Sequence, residues 1–139
     1  MGVRVQEKNM KILFASFLIL FSSAGEASPH KIMIFGGEGH KVYLGCLNCS
    51  EYASDSVFNE ISDYGSEFSS ESILNSFSDY GSEFSDYSAC NDYASDPPVI
   101  VDESGNFYGR LTINDFNPEQ SKDEQLIDWL KNKVCDPDK

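Results

Sequence analysis

A tandem repeat occupies the middle of this 139-residue chain and constrains its architecture more than any other feature. Residues 56–69 recur as residues 72–85, both copies ending in Ser-Asp-Tyr-Gly-Ser-Glu-Phe-Ser, and a shorter third copy begins at Ser88. The period is sixteen residues, and the repeated region covers about residues 48–97. A fixed period of this kind predicts one small structural unit that is used several times in equivalent surroundings.

The N-terminus is typical of a secretory signal peptide. A lysine follows Met10, and an apolar run over residues 12–21 is followed by small residues, which are the three parts of such a signal. The run is shorter than the roughly 20 apolar residues that a membrane-spanning helix needs. We predict a signal peptide over residues 1–27, with translation starting at Met10, and one mature domain over residues 28–139. The mature protein is then secreted or periplasmic and has no membrane span after signal cleavage.

The chain is strongly acidic, with a formal charge of −13 at pH 7. Residues 50–96 contain eleven carboxylates and neither lysine nor arginine. Because phosphate binding requires a basic surface, this composition excludes nucleic acid as a partner. Cations, basic proteins and neutral polymers are compatible with it.

All four cysteines lie in the part of the chain that is predicted to be exported. They are Cys46, Cys49, Cys90 and Cys135. An even number of cysteines in an oxidising compartment favours disulfides, and the four allow three pairings between which the sequence does not choose. We predict two disulfides and no free thiol, with Cys135 tying the end of the chain to an upstream partner. A zinc site is the less favoured alternative, since the spacing to the third and fourth cysteines is long.

The sequence predicts a small α+β domain with two β-hairpins, short helical turns derived from the repeats, and a C-terminal amphipathic helix. The hairpins are expected over residues 31–44 and 99–114, where strand-forming runs flank glycine-containing turns. The helix is expected to begin after Asn117, because a capping box precedes an apolar stripe over residues 126–134.

Each repeat predicts a short helical turn that ends at a glycine. Ser56 and Ser72 are suited to be N-caps, because a serine hydroxyl accepts a hydrogen bond from a free amide of the first turn. Gly65 and Gly81 are expected to end these turns with a positive φ. Helices of this length are not stable alone, so they must be held by packing or crosslinks.

The repeat resembles a tandem Ser-Ile-Trp-Asn-x-Tyr-Gly-x-Tyr-Gly-Ser-x-Tyr-Ser pattern of an uncharacterised family of short exported bacterial proteins. That family similarly carries Leu-Gly-Cys-x-x-Cys-Ser before the repeats, as in residues 44–50 here. It also carries Pro-Pro-Val-Ile-Val-Asp-x-x-Gly-Asn-Phe-Tyr-Gly after them, as in residues 97–109. The resemblance implies no catalytic residues, and the tryptophan of the pattern is replaced here by Phe58, Leu74 and Cys90.

The repeated aromatic side chains are the candidate binding residues. They are Tyr64, Phe68, Tyr80 and Phe84. Aromatic rings provide large contact areas, and repetition multiplies weak contacts into avidity. We therefore predict an exported, non-enzymatic binding or structural module, without a cofactor, that engages an unknown envelope or extracellular partner.

Two other functions are compatible with the sequence. A thiol–disulfide redox protein would use Cys46 and Cys49, although the acidic surroundings are unsuited to lowering a thiol pKa. A weak calcium-binding protein would use the repeated carboxylates, because hard cations prefer clustered oxygen ligands. The candidate calcium ligands are Asp63, Glu67, Asp79 and Glu83. Hydrolytic catalysis has no support, since the serines form no Gly-x-Ser-x-Gly motif.

Overall fold

A four-stranded antiparallel sheet and one short helix form a mixed α+β fold in the computed structural model, which describes residues 30–138. The strands are β1 (Ile32–Gly36), β2 (Val42–Cys46), β3 (Val99–Asp102) and β4 (Phe107–Arg110). They lie in the order β2-β1-β3-β4, and each neighbouring pair is antiparallel. The predicted α+β class is confirmed for the described residues. The predicted signal peptide lies outside them.

Residues 47–98, which connect β2 to β3, contain neither a helix nor a strand of the sheet, so the predicted helical turns are wrong. The chain instead makes one short turn after another, most of them begun by a serine or asparagine. The carbonyl of Ser72, for example, accepts from the amide of Asn75 (3.3 Å), and its hydroxyl accepts from the amide of Leu74 (3.0 Å). Side-chain oxygens spaced mostly three residues apart offer the backbone local partners that compete with a helix.

We call residues 50–94 the turn spiral. Most turns advance by three residues, and one four-residue step in each of the first two copies includes Gly65 or Gly81. Neither glycine has a positive φ, contrary to the prediction. A Cβ atom at Gly65 would lie 2.1 Å from the carbonyl oxygen of Asn59, and one at Gly81 would lie 2.4 Å from that of Asn75. Glycine is therefore required there by close packing of backbone on backbone.

The inner side of the turn spiral completes the hydrophobic core. Val57, Ile73 and Ala89 occupy the same place in three successive repeats and are almost completely buried. They belong to one cluster with residues of the sheet and the C-terminal segment, namely Ile34, Leu44, Ile100, Leu111, Leu130 and Val134. Burial of this apolar column explains why the sixteen-residue period is kept.

Three asparagines at equivalent positions satisfy backbone groups inside the spiral. The side-chain amide of each donates to the carbonyl oxygen six residues earlier, at 2.9, 2.9 and 3.0 Å for Asn59, Asn75 and Asn91. Their side-chain oxygens accept from the amide two residues later. Buried backbone groups need such partners, because leaving them unpaired is costly.

The only α-helix among residues 30–138, α1, spans Glu124–Trp129 and continues as a π-helical turn over Leu130–Val134. The predicted start after Asn117 is wrong, because the preceding segment is held beside β4. Arg110 donates its amide to the carbonyl of Glu119 and accepts at its carbonyl from the amide of Ser121. The helix begins instead at the cap Asp123, whose carboxylate accepts from the amide of Leu126.

The prediction of two disulfides is confirmed, and the described residues contain no free cysteine. One bond joins Cys46 to Cys49 at the start of the spiral. The other joins Cys90 in the third repeat to Cys135, with a sequence separation of 45. Since all four sulfurs are bonded in pairs, none is left as a thiolate for zinc.

Candidate binding surface

The four aromatic residues selected from the sequence divide into an inner and an outer pair. Tyr64 packs edge to face on Tyr43, with 5.1 Å between ring centroids, and Tyr80 lies against the hydrophobic core. The pKa values of Tyr64 and Tyr80 are raised, mainly by partial burial and to a smaller extent by nearby carboxylates. These two tyrosines are therefore structural, whereas Phe68 and Phe84 point to solvent.

Large apolar side chains line the outer side of the spiral in two columns with the repeat period. The first column is Tyr52, Phe68 and Phe84, and the second is Ile61, Phe77 and Tyr93. Each side chain is 85–94% exposed. We call these six residues the outer face. Each is the third residue of a turn, and its amide is bound by the side chain of the first residue.

Three adjoining grooves connect part of the outer face into one surface, which we call the groove track. The first, of about 520 Å³, has Phe77 and Phe84 on its walls, and the second, of about 370 Å³, has Phe84 and Tyr93. The third, of about 300 Å³, has Tyr93 and Phe116, the latter 95% exposed. Neighbouring grooves share lining residues, so the rings follow one another along a continuous surface.

The groove track is acidic as well as aromatic. The carboxylates that line it are Glu83, Asp92, Asp115 and Asp136. No lysine, arginine or histidine lines any of the three grooves. Asp115 is paired with Lys131 at 2.8 Å, whereas Glu83 and Asp92 form no ion pair within residues 30–138.

Sequence reasoning missed Phe77, Tyr93 and Phe116 as candidate contacts. The available indication was the turn pattern itself, in which Asn75 and Asn91 each stand two residues before an aromatic ring. In this chain the residues two positions after Asn75, Asn91 and Asn114 have this turn hydrogen bond and are all exposed.

The candidate calcium ligands are all exposed on the spiral. In the part of the chain that the structure describes, no three or more His, Cys, Asp or Glu side chains come together as a potential metal site. The residues concerned are Asp63, Glu67, Asp79 and Glu83. Calcium binding stays a prediction that the described geometry does not favour.

The Cys46–Cys49 pair has the surroundings of a structural crosslink. Cys46 is completely buried at the end of β2, and its amide donates to the carbonyl of Asp55 at 2.8 Å. A reactive thiol needs access and an electropositive environment such as a helix N-terminus. No helix begins at either cysteine.

A polar cluster closes the end of the spiral onto the sheet. Asp96 accepts from Arg110 at 2.7 Å and lies 2.8 Å from the Nε2 atom of His40. Burial opposes the ionisation of Asp96, but the hydrogen bonds from Arg110 and His40 outweigh it and hold the pKa of this carboxyl below its usual value. Arg110 also binds the carbonyl of Pro97 and the carboxylate of Glu119, so its side chain links β4 to the end of the spiral and to the segment before α1.

A cleft larger than each of these grooves lies elsewhere, between the sheet and α1, with a volume of about 620 Å³. Its walls are mainly apolar and include Ile32, Ile100, Phe107 and Leu126. None of the candidate residues from the sequence lines it. Polar side chains, among them Lys122 and Asp123, also line it, but no residue of the turn spiral does, so we do not assign the binding surface to it.

No protein-family model, curated protein or solved structure matches the chain. The resemblance to the exported bacterial family therefore stays a prediction. Among residues 30–138 no helix is long and apolar enough to cross a membrane. The two disulfides are compatible with a secreted protein or another oxidising compartment.

Proposed function

We propose that this protein is an exported, non-enzymatic binding module and that its partner contacts the outer face of the turn spiral. One observation carries the proposal: all six residues of the outer face are large and apolar, and each is at least 85% exposed. Single exposed apolar residues are ordinary, but a regular set on one structural unit is typical of an interaction surface. The fold does not require these side chains, because they contribute little to the core.

The backbone beneath the outer face supports this function. Side-chain and main-chain hydrogen bonds hold the turns on which Phe68 and Phe84 stand, at 3.0 Å for each residue's own amide. A surface that is ordered before binding loses less conformational entropy when the partner arrives. Repetition at a fixed period then favours an extended partner that makes several weak contacts at once.

The predicted signal peptide and the two disulfides favour a secreted or periplasmic location, and hence an envelope or extracellular partner. The net charge of −13 disfavours nucleic acid and anionic lipid surfaces.

A retention experiment tests the proposal. It measures how much of the purified, disulfide-intact mature protein binds to the envelope and secreted-polymer fractions of the producing cell. The parent protein is compared with a fourfold variant that carries Phe68→Ser, Phe77→Ser, Phe84→Ser and Tyr93→Ser together. We expect retention to fall by about tenfold or more, because several exposed rings contribute to one binding event. The measurement is made with and without calcium, so that a calcium-dependent mode is detected.

Phe107→Ser is the matched control, because Phe107 is also exposed but lies on β4 and not on the spiral. Full retention of the fourfold variant would contradict the proposal and favour a purely structural role. Retention that depends on calcium and not on the rings would favour the calcium alternative.

A further inference from the structure

We propose that the groove track binds an extended polypeptide segment rich in arginine and lysine. This inference rests on the proposed function of the outer face and names the partner's chemistry. It is carried by two independent properties of the same surface, the row of exposed rings and the complete absence of cationic side chains from the lining of the three grooves.

Charge complementarity selects a cationic partner. Glu83 lines the first two grooves, and Asp92 lines the second and third, so a carboxylate stands at each junction of the track. Neither carboxylate has an ion pair within residues 30–138. An arriving cation therefore replaces water and not an existing protein partner. Complementary potentials of this kind steer association and suppress partners of the wrong sign.

The rings make the site selective for particular cations. The face of an aromatic ring is electronegative, so a guanidinium or ammonium group is attracted to it. Phe84 and Glu83 are neighbours in sequence and line the same two grooves, which places a ring and a carboxylate within reach of one side chain. Arginine exploits both, since its planar group stacks on a ring while its N–H groups donate to a carboxylate.

The same observations argue against other occupants. A second copy of the chain brings its own charge of −13, and anionic polymers or lipids are repelled in the same way. A neutral polysaccharide can stack on the rings but gains no charge attraction from Glu83 and Asp92. A polycation uses both properties of the surface.

Fluorescence anisotropy with labelled peptides tests the inference on the disulfide-intact mature protein. The probes are oligoarginine, oligolysine, a neutral glycine–serine peptide of equal length, and a soluble neutral glucan. We expect oligoarginine to bind several-fold more tightly than oligolysine, the neutral peptide and the glucan not to bind, and affinity to fall as salt screens the charges.

The repeat supplies internal controls, because Ser66-Glu67-Phe68-Ser69 and Ser82-Glu83-Phe84-Ser85 have the same sequence, but only the second copy lines the groove track. We expect Phe84→Ser to weaken oligoarginine binding by about tenfold and Phe68→Ser by less than about twofold. Glu83→Gln is expected to weaken binding more than Glu67→Gln.

Each outcome decides between explanations. Equal losses for Glu83→Gln and Glu67→Gln, with no effect of Phe84→Ser, would show non-specific attraction to an acidic protein and overturn the inference. Glucan binding that Phe84→Ser abolishes would overturn the polycation and keep the proposed function. If oligoarginine does not bind, the inference is wrong, whereas the envelope-retention experiment decides the proposed function separately.

Discussion

Single serine and asparagine residues determine the path of the turn spiral. In most turns a side-chain oxygen of the first residue binds the amide two residues later, as Ser78 does for Tyr80 at 3.2 Å. The hydroxyl of Ser78 also donates to the carbonyl of Ser72 at 2.8 Å, across two turns. In the third copy this serine is replaced by Ala94 and the packed glycine by Pro97, and the spiral ends there. The repeat stops where the residues that close it are lost.

Gly81→Ala tests the close packing at the four-residue step. The new Cβ would lie 2.4 Å from the carbonyl oxygen of Asn75 and 2.5 Å from that of Ile73, so the two backbone segments must separate. We expect the free energy of unfolding, measured by chemical denaturation, to fall by about 1–3 kcal/mol. Ser70→Ala is the control on an exposed position and should change it by less than about 0.5 kcal/mol. If Gly81→Ala left the free energy of unfolding unchanged, the two backbone segments would be less closely packed at the four-residue step than these distances imply.

At the scale of elements, the strands could be predicted from the sequence more accurately than the other elements. The stretches around Ile34 and Ile100 are apolar, rich in β-branched residues and bounded by turns, and both are strands of the sheet. The repeats predict helical turns because Ser72 fits an N-cap and Gly81 fits a helix end, but these signals do not report the hydrogen bonds that serine and asparagine make to their own backbone. The inner and outer aromatic residues could not be separated from the sequence, because Tyr80 and Phe84 make the same turn hydrogen bond and differ only in how the spiral packs on the sheet.

The C-terminal segment shows how a tertiary contact overrides a local signal. Asn117 and Gln120 fit a capping box, yet the side chain of Gln120 donates to the carbonyl of Thr112 and to Asp115. The segment is thereby held against the end of β4, and the helix starts only at Asp123. No sequence rule places Arg110 beside Glu119, because that pairing depends on where the sheet lies.

Asp96→Asn tests the cluster that joins the end of the spiral to β4. The pKa of Asp96 is lowered in the folded state, so its contribution to stability is present above the unfolded pKa of about 3.9 and is lost as pH falls through the folded value. We expect Asp96→Asn to be less stable than the parent protein at neutral pH, and the two proteins to converge as the pH falls through the folded pKa of Asp96. Asp79→Asn, on an exposed position, is the control. A difference between parent and variant that does not depend on pH would show that the charge of Asp96 is not the stabilising property.

The two disulfides are expected to contribute unequally. In a loop-entropy treatment, the Cys90–Cys135 bond with its separation of 45 stabilises the fold by about 4 kcal/mol, and the Cys46–Cys49 bond with its separation of 3 by about 1.5 kcal/mol. Replacing each pair by serines and measuring chemical denaturation checks the order. An insulin-reduction assay on the parent protein is the accompanying test, and activity that disappears in the Cys46→Ser, Cys49→Ser variant would favour the redox alternative.

At the scale of the whole molecule, the turn spiral has two sides with separate roles. Its inner side, with Val57, Ile73 and Ala89, completes the core of the sheet. Its outer side exposes rings and carboxylates that take no part in that core. The sixteen-residue period serves both sides, because one unit of backbone positions an inner apolar residue and two outer ones. This division allows contact residues to change while the fold is kept.

Truncation of the outer rings tests whether the two sides are independent. Phe68→Ser, Phe77→Ser and Phe84→Ser remove side chains that are 85–94% exposed, so little buried area is lost from the folded state. We expect each variant to unfold within about 0.5 kcal/mol of the parent protein by chemical denaturation, even where partner binding is lost. Ile73→Ala is the contrasting variant, because Ile73 is completely buried, and it should cost about 2–5 kcal/mol. A loss of about 2 kcal/mol or more for any outer ring would mean that this ring is covered in solution, and the outer face would then be part of the folded structure and not a free binding surface.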